Sequence, residues 1–166
     1  MRPAKLNFLK IMSCLHITAI LVQAAIIFYN KLTSPYETEI DWLFYLTMIP
    51  GNAILLTNSS IVLYLAEKCY PDKYPGRRLH KFSRIIFIIS ILLLAAVIFL
   101  TCIMFLEIFL DRPETYADNI DVLLFIVYSA LSITGFIIII QLPGLWNIIR
   151  YNYQSAIDSF MNSGKG

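Results

Sequence analysis

The chain has 166 residues, of which 58% are hydrophobic and only 14% are charged, and its net charge is +2. Roughly a quarter of the residues of an ordinary soluble domain are charged, so this composition excludes that class and indicates an integral membrane protein. The net charge is unremarkable, and we expect no nucleic-acid partner.

The charged residues are sorted by sign along the chain. They occupy five segments, at residues 2–10, 31–41, 67–84, 107–121 and 150–165. The first, third and fifth segments are basic, and the second and fourth are acidic. Short loops rich in Lys and Arg stay on the cytoplasmic side of a membrane. We therefore predict an all-α four-helix bundle that crosses a cell or organelle membrane four times, with both termini in the cytoplasm.

The first predicted helix spans residues 7–29. Its basic start and the small residues Val22 and Ala24 also fit a signal peptide, but the apolar run is longer than the core of a typical signal peptide. We therefore expect an uncleaved helix. His16 and Gln23 are seven residues apart and share one face, where they either line a polar path or ligand site or bond neighbouring helices.

The second predicted helix spans residues 40–66 and is interrupted by Pro50 and Gly51. Proline removes one backbone hydrogen bond, so we predict a kink or a short unwound segment there. The most polar stretch at membrane depth follows, with the candidate site residues Asn52, Asn58 and Ser59. Broken helices hold the cargo in many transporters, but the same break also fits a packing kink whose loose carbonyl is met by Asn or Ser.

The third predicted helix spans residues 83–110, and its stretch 85–106 has no charged residue. About 20 apolar residues suffice to cross the hydrocarbon core of a bilayer. The basic loop before it is predicted to contact anionic lipid headgroups or, alternatively, a cytosolic partner. The residues assigned to this contact are Arg77, Arg78, Lys81 and Arg84.

The fourth predicted helix spans residues 119–142, with Gln141 at its inner end as a further polar candidate. Three small residues spaced three apart predict a ridge that a neighbouring helix can approach closely; they are Ser129, Ser132 and Gly135. Beyond the Pro143-Gly144 pair, the mixture of aromatic and basic residues predicts an interfacial segment over residues 145–158.

The sequence contains no recognisable catalytic or metal-binding motif. It has no HExxH, GxSxG or phosphate-binding loop, and no pair of carboxylates at membrane depth. The three cysteines, Cys14, Cys69 and Cys102, form no metal spacing, and with only His16 and His80 a histidine-based site lacks ligands. We expect no metal and no cofactor.

Three classes of function are compatible with this pattern. The sequence favours an accessory or scaffold subunit that binds another membrane protein, or a second copy of itself, through its helix faces in the bilayer. The alternative is a small transporter, channel or ligand-binding sensor built around the break at Pro50-Gly51. A membrane enzyme acting on lipid is the third class, and the chain shows no acid, base or nucleophile arrangement for it.

Overall fold

The computed structural model describes residues 3–33, 39–70, 73–106 and 119–163, with side chains for 4–29, 48–70, 73–106 and 122–161. The described part is almost entirely helical, so the prediction of an all-α protein is confirmed. The four α-helices are α1 (Pro3–Thr33), α2 (Glu39–Tyr64), α3 (Arg77–Leu106) and α4 (Asn119–Ser163). Four helical stretches are long and apolar enough to cross a membrane; three lie within α1, α3 and α4, and the other, Met48–Cys69, begins in α2 and runs five residues past its end.

The helix α2 continues through Pro50 and Gly51, so the short unwound segment that we considered there does not occur. The predicted kink stays a prediction. Gly51 is buried, and a Cβ atom placed on it would lie 3.6 Å from Leu93 Cδ2, so this part of α2 packs closely on α3. The helix continues here despite the hydrogen bond that is lost at proline.

A π-helical turn, Leu65–Cys69, follows α2 and was not predicted from the sequence. Its wider hydrogen bond runs from the Tyr70 N–H to the Leu65 carbonyl, at 2.9 Å. A π turn accommodates one extra residue, and here Leu65, Ala66 and Cys69 are all buried. The turn therefore directs three side chains into the core at the end of the helix.

The helix α3 begins at Arg77, six residues earlier than the predicted start at residue 83. Gly76 precedes it with a φ of +82°, in the left-handed region that favours glycine, and its carbonyl accepts a hydrogen bond from the His80 N–H at 3.1 Å. The basic residues Arg77, Arg78 and Lys81, predicted in a loop, therefore lie on the first turns of a helix. The predicted end of this helix, residues 107–110, lies outside the described residues.

The helix α4 is 45 residues long and continues past Pro143 to Ser163, instead of ending at residue 142. The predicted interfacial segment 145–158 is part of this helix and not a separate element. The physical reason is burial: Leu142, Leu145 and Ile149 are almost completely buried on either side of the proline. Packing of these side chains holds the backbone helical where the local sequence favours a break.

Each helix packs mainly against two others: α1 and α3 both contact α2 and α4. Two buried hydrophobic clusters lie along these contacts. The Leu9 cluster includes Leu9, Ile61, Val62, Ile86, Ile138 and Leu142. The Ile20 cluster consists of Ile20, Leu55, Val127, Tyr128 and Leu131. The early part of α1 therefore lies beside the later part of α4, and the two helices run antiparallel.

Candidate functional site

A layer of buried polar side chains lies between the two hydrophobic clusters. In α1, α2 and α4 these residues fall between members of the Leu9 and Ile20 clusters along the chain. In α3, Ser90 lies between Ile86, a member of the Leu9 cluster, and Leu93, which packs against the Ile20 cluster. The polar layer consists of Ser13, His16, Asn58, Ser59, Ser90 and Thr134, and each is at most 7% exposed. All four helices contribute, so the layer crosses the full width of the packed interior.

His16 and Thr134 join α1 to α4 by a hydrogen bond of 2.7 Å between Nδ1 and Oγ1. The Thr134 hydroxyl has one proton, which it donates to the Ala130 carbonyl at 2.6 Å. Toward His16 the Thr134 oxygen must therefore act as the acceptor, and Nδ1 carries the proton. In the neutral imidazole, Nε2 is then the unprotonated nitrogen and can accept a hydrogen bond.

Because Gly135 has no side chain, the imidazole of His16 can pack directly against α4. A Cβ atom on this residue would lie 3.0 Å from His16 Cε1 and 2.7 Å from Leu94 Cδ1. Glycine at this position thus allows α1 and α3 to approach α4 at the same level. Of the other ridge residues, Ser132 lies with its Oγ 3.2 Å from Thr101 Oγ1 of α3, and Ser129 is half-buried.

Four oxygen atoms of the polar layer are buried and have no hydrogen-bond partner within the described residues. They are Ser13 Oγ, Asn58 Oδ1, Ser59 Oγ and Ser90 Oγ. An unsatisfied buried polar atom costs about 1 to 3 kcal/mol, and a group of them in one layer is unusual in a native interior. The layer therefore contains several hydrogen-bonding groups that the described residues do not satisfy.

The structure brings three of the predicted site residues into this layer, namely His16, Asn58 and Ser59. The other three lie outside it. Gln23 is buried two turns away, and its Oε1 has no hydrogen-bond partner among the described residues. Asn52 is half-buried and nearly two turns before Asn58, and Gln141 is half-buried beside the Leu9 cluster.

Sequence reasoning missed Ser13, Ser90 and Thr134. A signal for Ser13 was present, because it precedes His16 by three residues and so lies on the same helix face. Ser90 and Thr134 are two of several hydroxyl residues in very apolar helices, and nothing in the sequence distinguishes them from Thr101 or Ser132. Only the pairing of the helices shows that they lie at the level of His16.

A second region with polar groups lies at the end of the molecule where α3 begins. An aromatic cluster joins the segment before α3 to α3 and α4; its members are Tyr74, His80, Phe87, Trp146 and Tyr153. Tyr74 stacks on Tyr153 with ring centroids 4.7 Å apart. The Trp146 ring contacts the rings of His80 and Phe87 edge to face, with centroid distances of 6.0 Å and 5.1 Å. The predicted contact residues Arg77, Arg78, Lys81 and Arg84 are all exposed near this end.

A groove of about 440 Å³ lies on the outside of α2, lined by Leu56, Thr57, Ser60, Ile61, Tyr64 and Leu79. The Thr57 hydroxyl donates to the Ala53 carbonyl at 2.7 Å, and the Ser60 hydroxyl donates to the Leu56 carbonyl at 2.8 Å. Because both protons are used inside the helix, the groove presents a mainly apolar wall. It does not resemble a site for a polar ligand.

The cysteines Cys14, Cys69 and Cys102 are free. Among the described side chains, no group of three His, Cys, Asp or Glu residues could hold a metal ion. Comparisons of the chain with protein-family models, with curated proteins and with solved structures find no match.

Proposed function

We propose that this protein is an accessory or scaffold subunit of the membrane, which binds another membrane protein through the outward face of α3. Its four helices cross the bilayer as one bundle with both termini in the cytoplasm. The sorting of charges by sign supports this topology. The contacts of α1 and α3 with both α2 and α4 support a single bundle.

The single observation that carries the proposal is the apolar outward face of α3. Ile88, Leu92 and Phe99 are each at least 60% exposed, although all three are large hydrophobic residues. Two hydroxyl residues of the uncharged part of α3 turn the other way, since Ser90 is buried and Thr101 faces Ser132. No described side chain at the middle of this face offers a charge or an unsatisfied polar group to a solute.

The partner that fits this face best is a helix of another membrane protein. Ala95, Ala96 and Cys102 are exposed between the large side chains, and small residues allow a second helix to approach closely in a membrane. The least buried of the four predicted spans is α3, so it has the most surface to offer. The alternatives are that a second copy of the chain, or lipid alone, covers this face, and crosslinking distinguishes them from a helix of another protein.

A photo-crosslinking amino acid introduced at Leu92 tests the proposal in native membranes. Leu92 is 68% exposed, and the matched buried control is Leu94, which is 4% exposed. We expect one discrete protein adduct from Leu92 and none from Leu94. An adduct of twice the chain's mass identifies a second copy and overturns the hetero-partner, and adducts with lipid alone overturn the proposal.

A bulky substitution shows whether this face is the contact. Leu92→Trp should abolish both the adduct from a neighbouring crosslinker at Phe99 and co-purification of the same protein in mild detergent. Leu21→Trp on α1 is the matched control, because Leu21 is also a bilayer-depth leucine and is 57% exposed. Equal retention of the partner by both variants would reject α3 as the binding face.

A second candidate is a transporter, channel or ligand-binding sensor that uses the polar layer. The four oxygens without a partner among the described residues favour it, because a polar site near mid-membrane is a functional candidate by default. Proteoliposomes test it with two probes, a proton gradient and an osmotic step in sucrose. This candidate predicts that Asn58→Leu lowers one of the two permeabilities, whereas Asn52→Leu, outside the layer, leaves it unchanged. Permeabilities no higher than those of empty liposomes would remove the candidate in its channel form.

A further inference from the structure

The groove on the outside of α2 runs along the helix toward its basic end. Its walls are formed by a stripe of α2 side chains and one residue of α3, namely Leu56, Thr57, Ser60, Ile61, Tyr64 and Leu79. From Leu56 to Tyr64 the helix rises about 12 Å. One leaflet of the hydrocarbon core is roughly 15 Å deep, half of the whole. The groove therefore covers most of the depth of one leaflet.

The basic end of the groove lies at the level expected for lipid headgroups. Tyr64 is the last residue of α2 and is 45% exposed, and tyrosine is typical of the boundary between the hydrocarbon core and water. Residues 67–84, which follow, contain six basic and two acidic residues. Lys68, one turn after Tyr64, and Arg78, directly before Leu79, are both exposed. A lipid whose chain follows the groove would thus place its phosphate near cations.

The walls of the groove suit a hydrocarbon chain. Leu56, Ile61 and Leu79 are aliphatic. The hydroxyl protons of Thr57 and Ser60 are donated to carbonyls of their own helix, so an apolar chain that covers these residues leaves no hydroxyl proton there without an acceptor. The phenol of Tyr64 belongs to the residue at the headgroup end.

The volume of the groove matches one lipid chain. A cavity of about 150 Å³ lined by Leu, Ile and Phe binds one benzene molecule, which has six carbons. By the same ratio, the groove of about 440 Å³ accommodates roughly 18 carbons, as in a single acyl chain of a phospholipid. A helix of another protein is about 10 to 12 Å in diameter and crosses both leaflets, whereas the groove follows one leaflet.

We propose that this groove binds one acyl chain of a phospholipid from the cytoplasmic leaflet and holds that molecule while neighbouring lipids exchange. The inference rests on the membrane placement and orientation in the proposed function, but not on a protein partner. The exposed residues of α3 that carry the partner proposal, Ile88, Leu92 and Phe99, do not line the groove.

Native mass spectrometry of the purified, delipidated full-length chain in a neutral detergent tests the proposal. The probes are dioleoyl and dihexanoyl phosphatidylglycerol, which share a headgroup and differ in chain length. We expect one dioleoyl lipid to bind the wild-type chain severalfold more tightly than the short-chain lipid, because six carbons leave most of the groove unfilled. Equal binding of the two probes would show that the headgroup alone is recognised and would overturn the proposal.

A substitution that fills the groove shows where the lipid binds. Ser60→Phe places a ring in the groove and should weaken binding of the dioleoyl lipid severalfold. Thr18→Phe is the matched control, since Thr18 is also an exposed hydroxyl residue at bilayer depth that donates to its own helix, and it should bind the lipid as the wild type does. Equal binding by both variants would place the lipid elsewhere and reject the groove.

A measurement on the unmodified chain keeps the test decisive if Ser60→Phe fails to fold, which circular dichroism checks. Phosphatidylglycerol with a photoreactive diazirine in the middle of one acyl chain is bound to the wild-type protein and crosslinked. We expect adducts concentrated at residues 56–64 and at Leu79. Adducts spread evenly over the exposed helix faces would show exchanging lipid and overturn the site. Both assays lack a partner protein, so their failure leaves the crosslinking result at Leu92 unaffected.

Discussion

The polar layer and the aromatic cluster both place polar groups among the helices, but they differ in how they treat charge. The layer contains hydroxyl, amide and imidazole groups and no Lys, Arg, Asp or Glu, and all of its members are buried. The aromatic cluster lies near exposed arginines, and of its rings only that of Trp146 is buried. This contrast matches the cost of burying each group, since neutral polar groups can be satisfied by one another, whereas an unpaired charge in a low-dielectric interior is far more costly.

The comparison shows that the type of polar residue changes with position along the helices, from neutral groups at the polar layer to charged groups near the aromatic cluster. At the level of His16 the side chains bond across helices or have no partner among the described residues. Near Trp146, α3 and α4 carry their charged groups on the exposed surface, where long arginine side chains can reach water or headgroups. The following variants separate the two regions by the free energy of unfolding, measured by SDS titration in mixed micelles.

The largest effect is expected in the aromatic cluster. Trp146→Ala removes a buried indole that contacts His80 and Phe87, and should destabilise the protein by about 3 kcal/mol through the cavity it leaves. The control is Tyr151→Ala, since Tyr151 is 72% exposed, and should change stability by less than about 0.5 kcal/mol. Similar values for the two variants would mean that the cluster does not stabilise the fold.

The next effect tests close packing in the polar layer. Gly135→Ala places a methyl group against His16 and the buried Leu94, and should cost about 1.5 kcal/mol through overpacking. Gly144→Ala has nothing within 4 Å of the added atom and should gain up to about 1 kcal/mol from helix propensity. If both substitutions stabilise the protein, then α1 and α3 do not meet α4 at this level.

A smaller effect is expected for the hydrogen bond across the layer. His16→Phe keeps an aromatic ring but loses the bond to Thr134, whose own proton is already donated to Ala130. We expect a loss of about 0.6 kcal/mol, the typical value for such a bond between membrane helices. A loss of several kcal/mol would indicate that His16 makes a further interaction besides its hydrogen bond to Thr134. Thr18→Val, at an exposed position, is the control.

The smallest effect has the opposite sign. Ser59→Ala deletes a buried hydroxyl that has no partner among the described residues, and should stabilise the protein by a few tenths of a kcal/mol. Ser60→Ala removes a hydroxyl bonded within its own helix and should change stability by less than about 0.5 kcal/mol. A clear destabilisation by Ser59→Ala would show that this hydroxyl has a partner, which supports the ligand-binding alternative.

The helical class and the four apolar spans could be predicted because charge is excluded from them over long stretches. The continuation of α4 past Pro143 could not, since the rule for proline is local and the burial of Leu142 and Leu145 depends on other helices. The π turn after Tyr64 has no sequence signal that we recognise. In the site, His16 and Asn58 were found as rare polar residues, but Thr134 lies 118 residues from His16 and only the fold makes it a partner.

The length of α4 has one further consequence. Its 45 residues extend about 68 Å, more than twice the roughly 30 Å thickness of the hydrocarbon layer. Beyond Tyr153, whose ring stacks on that of Tyr74, the helix continues for about 15 Å to Ser163. Fluorescent labels at Tyr153 and near Ser163 would therefore be separated by about this distance along the helix axis, so energy transfer between them measures whether this last part of α4 stays helical.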